Sequence, residues 1–265
     1  MLRRLMSKVG ASRRGRVATI RSISLQQRFV YAIGDVHGCY AEMRALEESI
    51  FGDSARPSGA SSHIIYLGDL IDRGPRSAEV IEHVISPAPF GFSRHSLTGN
   101  HEAALLRFLD DPAKGANWLH HGGRETLRSY GVEVPHRIDT RRALKAIALE
   151  ACVVIPKRHV EFLRTLPTAL MWHNYLFVHA GIRPGVLLER QSEQDMLEIG
   201  EEFLISYAGC TNTVVHGHST VRRAEIHNGR VALDTGCYAT GVLSAARIDE
   251  SSVTILTNGN RSPER

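Results

Sequence analysis

The chain has 265 residues, 43% of them apolar and 23% charged, and a formal net charge of +4. This is a globular composition, long enough for one large domain or two small ones with a sizeable core. No apolar run approaches the roughly eighteen residues of a membrane helix, and basic residues interrupt the N-terminus too often for a secretory signal.

The positive charge is local. Residues 1–34 hold eight Arg or Lys and no Asp or Glu, so 24 basic residues face 28 acidic ones in the remainder. The plain reading of residues 1–27 is a disordered, solvated basic arm. A targeting presequence, or weak attraction to nucleic acid or anionic lipid, stays open. Cys39, Cys152, Cys210 and Cys237 form no CxxC pair, which points to neither a disulfide framework nor a zinc knuckle. A reducing, cytoplasmic compartment is the expectation.

After the arm, "RFVYAI" (28–33) reads as a buried strand and 40–50 as an amphipathic helix. "HIIYL" (63–67) is a second strand before a helix over 76–85, and "SRHSL" (93–97) a poorer third strand before a helix over 101–110. Three such alternations mean crossover units and a largely parallel sheet. Residues 115–168 read as helical, and short β runs follow from Leu170, with "HNGR" (227–230) a hairpin turn. The expected fold class is α/β with a helical insert between two β-rich halves.

The strand ends carry unusual chemistry. They read Gly34-Asp35-Val36-His37-Gly38, then Gly68-Asp69-Leu70-Ile71-Asp72-Arg73-Gly74, then Gly99-Asn100-His101-Glu102; later runs end at His179 and at His216 and His218. Taken singly, each is an ordinary turn, core histidine or surface ion pair. Together they are not, because turns do not need a carboxylate, an imidazole or an amide at every strand end. In open α/β sheets ligands bind beyond the carboxyl ends of strands. Carboxylate, imidazole and amide donors without thiolate suit Mn²⁺, Fe or Zn²⁺. A pair of such ions about 3.5–4 Å apart is a clamp for phosphoryl displacement.

"GDVHG", "GDLIDRG" and "GNHE", followed by "HAG" and "GHS", resemble the motifs of the calcineurin-like metallophosphoesterases, most nearly the phosphoprotein-phosphatase branch. The likeness runs from about Arg28 to the C-terminus. It implies a layered αββα sandwich of mixed β-sheets, with the helical insert at about 115–168. It also implies a site. Asp35 and His37 would bind one metal, Asp69 would bridge, and Asn100, His179 and His218 would bind the second. His101 would be the general acid, held by Asp72, and Arg73 would grip phosphate. A metal-bound hydroxide would attack phosphorus directly. Residue 220 is Thr where many relatives outside the branch have a further ligand His, and His216 reads as a supporting residue.

One departure stands out. Ile199-Gly200 occupies a place where bacterial members often have Ile-Arg, so a second phosphate-binding arginine is missing. Arg183 is a candidate replacement, or else a structural residue of its turn. Trp118, His120, His121 and Arg124 could rim the cleft, or Trp118 and Leu119 could be core.

The first functional expectation is a protein serine/threonine phosphatase using two divalent ions, Mn²⁺ foremost, on phosphoprotein. The alternative is symmetrical hydrolysis of diadenosine tetraphosphate or other dinucleoside polyphosphates. A non-catalytic module recruiting a partner through the arm is the third, and the full donor set argues against it. No membrane association is expected, and nucleic acid only weakly through the arm.

Overall fold

The computed structural model describes residues 18–23, 29–53, 61–206, 211–249 and 252–259. In chain order, β1 (Ile20–Ser22) precedes three strand–helix units: β2 (Phe29–Ile33) with α1 (Tyr40–Phe51), β3 (Ser62–Tyr66) with α2 (Ser77–Ile85), and β4 (Phe92–Ser96) with α3 (Asn100–Asp110). The helical insert follows as α4 (Pro112–Gly115), a 3-10 turn (Ala116–His120), α5 (Gly123–Ser129), α6 (Arg141–Val154) and α7 (Lys157–Thr165). Then come β5 (Ala169–Trp172), β6 (Tyr175–Val178), α8 (Glu193–Glu198), α9 (Glu201–Ser206) and β7 (Thr213–His216). The chain closes with β8 (Glu225–His227), β9 (Arg230–Ala232), α10 (Cys237–Thr240), β10 (Ser244–Ile248) and β11 (Val253–Thr257).

The strands form two sheets, ordered β11-β10-β2-β3-β4 and β1-β5-β6-β7-β9-β8. Strands β2, β3 and β4 pair in parallel, as the crossover pattern requires, while β10 and β11 add antiparallel edges. Strands β2 and β3 are buried on both faces, so they carry apolar runs rather than alternation, whereas the edge strand β4 is polar and half-buried. Tyr31, Ile33, Ile64 and Tyr66 face the helices. Val30, Ala32, Ile65 and Leu67 face the other sheet, against Trp172, Phe177 and Val215. The outer face of that second sheet packs Leu176, Val178 and Val214 on Met196 and Phe203 from α8 and α9. The result is the layered αββα sandwich, with the insert covering the first sheet's helical layer.

Two expectations need correcting. The basic arm is not wholly outside the fold, because Ile20–Ser22 pairs in parallel with Ala169–Met171 as an edge strand; the rest of residues 1–17 and 24–28 lies outside the described residues. Nor is the region after Leu170 purely β: α8 and α9 stand between β6 and β7. Their six-residue lengths are too short for a periodic apolar signal to emerge. The distant Cys39 and Cys237 meet beside Glu42 in a small group, a contact that their spacing concealed.

Candidate functional site

The turns that leave β2, β3, β6 and β7 and the N-terminus of α3 converge on one buried point. Asp69 is its centre. One carboxylate oxygen, Oδ2, lies 3.6 Å from His37 Nε2, 3.7 Å from His101 Nε2 and 3.5 Å from His179 Nε2. Asn100 Oδ1 is 2.9 Å from His179 Nε2 and 3.1 Å from His218 Nδ1. Asp35 completes the ring, accepting the His218 backbone N–H at 3.0 Å. The backbone bends sharply to achieve this. Among described non-glycine residues only six have positive φ, and five of them are His37, Asp69, Asp72, Arg73 and His218. Left-handed backbone at bulky residues costs of order 1–3 kcal/mol each and collects where function over-determines the geometry.

Two glycines are forced by this crowding. A Cβ on Gly217 would collide with the Asp35 carboxylate, and one on Gly99 with that of Asp69.

Hydrogen bonds on the far side of each ring fix what the near side offers. His37 Nδ1 donates to the Ile71 carbonyl at 2.9 Å and His179 Nδ1 to the Leu67 carbonyl at 3.0 Å. Burial holds both imidazoles neutral, His37 at about 3 and His179 at about 4. Their Nε2 lone pairs therefore face the oxygens of Asp69 and Asn100. The two Nε2 lone pairs thus meet oxygen acceptors rather than donors, an arrangement that a cation resolves. Donor atoms about 2 Å from a common ion would lie about 3–3.5 Å apart, close to the spacings seen. Burial and the neighbouring Asp234 and Asp69 push the Asp35 carboxyl well above its ordinary value. Burial likewise opposes ionisation of Asp69, but the imidazoles around it, the cationic His101 among them, and the His101 backbone N–H outweigh it and pull that carboxyl down. The side chains fit a divalent metal centre.

His101 differs from the others. Its Nδ1 donates to Asp72 Oδ2 at 2.6 Å, and Asp72 is held in turn by the Trp118 indole N–H and the Thr126 hydroxyl. Burial disfavours the imidazolium, yet Asp69 and Asp72 prevail and raise His101 to about 9. Its Nε2 carries a proton toward the cleft. Arg73 lies exposed at the rim, its guanidinium 4.5 Å above the Tyr238 ring and its Nη2 3.4 Å from His101 Nε2.

The model of the calcineurin-like phosphoesterase family matches residues 30–245. The chain belongs to that family. The calcineurin-like phosphoesterase is 28% identical to an asymmetrical bis(5'-nucleosyl)-tetraphosphatase of Halalkalibacterium halodurans, over 82% of this chain and 89% of that one. It is 32% identical to a symmetrical bis(5'-nucleosyl)-tetraphosphatase of Aromatoleum aromaticum, over 59% of this chain and 45% of the relative. A crystal structure provisionally named a diadenosine tetraphosphatase superposes with a TM-score of 0.62 at 22% identity, covering 92% of this chain and all of the other; that likeness speaks to the fold.

Arg183 is not placed as expected for this phosphoesterase. Its guanidinium is taken up by Asp195 and by both oxygens of Glu202 at 2.8–2.9 Å. It ties the loop after β6 to α8 and α9 through four hydrogen bonds. His216 supports rather than lines the site: it is fully buried, its Nε2 accepts from the Arg230 guanidinium at 3.2 Å, and it meets Phe203 edge-on. Trp118 is both core and site support, His121 reaches the cleft, and Arg124 is turned to the carbonyls of Val134, Pro135 and His136.

Sequence reasoning gave Glu102 no role. Its buried carboxylate accepts the backbone N–H groups of Gly99, Asp69 and Leu70 at 2.7–2.9 Å. It thereby clamps the Asp69 turn to the start of α3, while burial and the Asp69 charge lift it to about 7. The signal was available, since a Glu at the third position of a helix is a capping residue. Thr126 and Tyr238 had no comparable signature.

Proposed function

We propose that this phosphoesterase hydrolyses dinucleoside polyphosphates, with Asp35, His37, Asp69, Asn100, His179 and His218 holding two divalent ions, Mn²⁺ foremost. The observation that carries the substrate class is the end-to-end likeness to a bis(5'-nucleosyl)-tetraphosphatase over 82% of this chain. The protein serine/threonine phosphatase reading, placed first on motifs alone, yields to it.

Divalent ions bound there would polarise phosphoryl oxygens and lower the pKa of water. The chain's own residues do the rest. Arg73, stacked on Tyr238, offers two N–H groups to phosphate oxygens. A bound phosphate oxygen between Arg73 Nη2 and His101 Nε2 would also relieve two facing donors 3.4 Å apart. His101, cationic through Asp72, gives its Nε2 proton to the leaving oxygen. Asp72, fixed by Trp118 and Thr126, keeps the ring oriented.

The test is a parallel assay with Mn²⁺ of diadenosine tetraphosphate against phosphoserine and phosphothreonine peptides. The expected outcome is a kcat/KM for the dinucleotide at least tenfold above any peptide. Preference for a peptide restores the protein-phosphatase reading.

A further inference from the structure

A cleft of about 320 Å³ opens from the site along α3. His101, Ala104 and Arg107 line it in steps of three residues, so one stripe of the helix forms its wall. At 1.5 Å rise per residue, Arg107 stands about 9 Å along the axis from His101. Lys114 and His121 from the start of the insert also line it.

Arg107 is exposed, and among the described residues it forms no ion pair and donates no side-chain hydrogen bond. Lys114 pairs only with Asp111 at 2.9 Å, with both side chains open to water, and such pairs exchange at little cost. The cleft also contains a carboxylate, Glu198. The lining is thus basic beyond His101, where Arg107 and Lys114 stand.

That polarity bears on the leaving group. If His101 protonates the leaving oxygen, whatever departs lies beyond it, along Arg107 and Lys114. A serine or threonine side chain offers these cations nothing. A nucleoside polyphosphate offers them its remaining phosphates. We infer that Arg107, seconded by Lys114, is a specificity-determining residue that binds the phosphates of the leaving group, so that the enzyme selects substrates by the charge on what departs. The inference rests on the dinucleoside polyphosphate reading above. Its chemistry is charge-assisted hydrogen bonding, for which the planar guanidinium suits paired phosphate oxygens better than an ammonium does.

The experiment measures kcat and KM with Mn²⁺ for wild type, Arg107→Ala and Arg107→Lys on diadenosine tetraphosphate and on 4-nitrophenyl phosphate, whose leaving group is a single phenol. The quantity read is the ratio of the two kcat/KM values. Arg107→Ala should lower that ratio at least tenfold, mainly through KM for the dinucleotide, and Arg107→Lys should recover part of it. Circular dichroism and the lysine variant separate this from misfolding, which would depress both substrates together. A ratio unchanged in Arg107→Ala overturns the inference while leaving the substrate class intact. Wild type that cleaves 4-nitrophenyl phosphate but no dinucleoside polyphosphate overturns the reading and the inference with it.

Discussion

Two clusters of buried carboxylates and imidazoles, one beneath α1 and one at the strand ends, are built to opposite rules. Behind α1, Glu47 accepts the Tyr66 hydroxyl at 2.6 Å, Arg94 through two N–H groups at 2.7 and 2.8 Å, and His83 at 2.6 Å. Every oxygen has donors and the charges pair, so four elements, α1, α2, β3 and β4, are stitched together. At the strand ends, by contrast, Asp69 on backbone of positive φ faces the neutral imidazole lone pairs of His37 and His179, and the latter also faces the Asn100 amide oxygen. The first cluster is complete as folded. The second leaves lone pairs facing oxygens, which a bound cation would satisfy. Balanced buried polarity holds the architecture, and unbalanced buried polarity marks where the chemistry happens.

The largest test of that contrast is at His101, which sits in the unbalanced cluster but is already partnered by Asp72. His101→Ala should cut kcat by about 10²–10⁴-fold, the range for losing a general acid. The same variant should still retain two metal ions per chain by elemental analysis. Loss of metal from His101→Ala would make His101 a ligand and erase the distinction between the partnered imidazole and the lone-pair imidazoles His37 and His179.

Much of this was legible beforehand, and the reasons are physical. Strands β2 and β3 are covered on both faces, so Val30, Tyr31, Ile64 and Ile65 form unbroken apolar runs that stop at glycine. The donors Asp35, Asp69, Asn100 and His179 follow those runs immediately, which is why chain order alone grouped them. Arg183 misled because a free cation and a doubly paired one look alike in a sequence; Asp195 and Glu202 reach it only through the packing of α8 and α9. Trp118 and Thr126 were hidden for the same reason, since their contact with Asp72 spans 46 and 54 residues. Strand β1 was obscured by the charge of its surroundings, because an edge strand of three residues needs few apolar side chains.

The balanced cluster makes a prediction of intermediate size. Burial alone would raise the Glu47 carboxyl, but hydrogen bonds from His83, Arg94 and Tyr66 bring it from 4.5 down to about 2. A depressed carboxylate stabilises the fold fully above its unfolded value and loses that contribution as pH falls through its folded value. Glu47→Gln should therefore lower unfolding stability by about 3 kcal/mol at pH 7, as breaking a buried pair does. Its deficit relative to wild type should shrink between about pH 4.5 and about pH 2. Urea melts across that range read the difference directly, and a deficit independent of pH would mean that packing, not charge, holds this corner together.

The smallest effect expected is at Arg183, and it sharpens the contrast because this arginine resembles a site residue while being wired like the Glu47 network. Its guanidinium is 40% exposed, so its pairs with Asp195 and Glu202 are screened by water and contribute at most about 1 kcal/mol. Arg183→Ala should shift the urea midpoint only slightly and leave kcat/KM for 4-nitrophenyl phosphate essentially unaltered. A fall of tenfold or more, about 1.4 kcal/mol of transition-state binding, would show that the arginine leaves its carboxylates to meet phosphate. It would then stand in for the arginine absent at Gly200, and completed pairing would no longer be a sufficient sign of a purely architectural role.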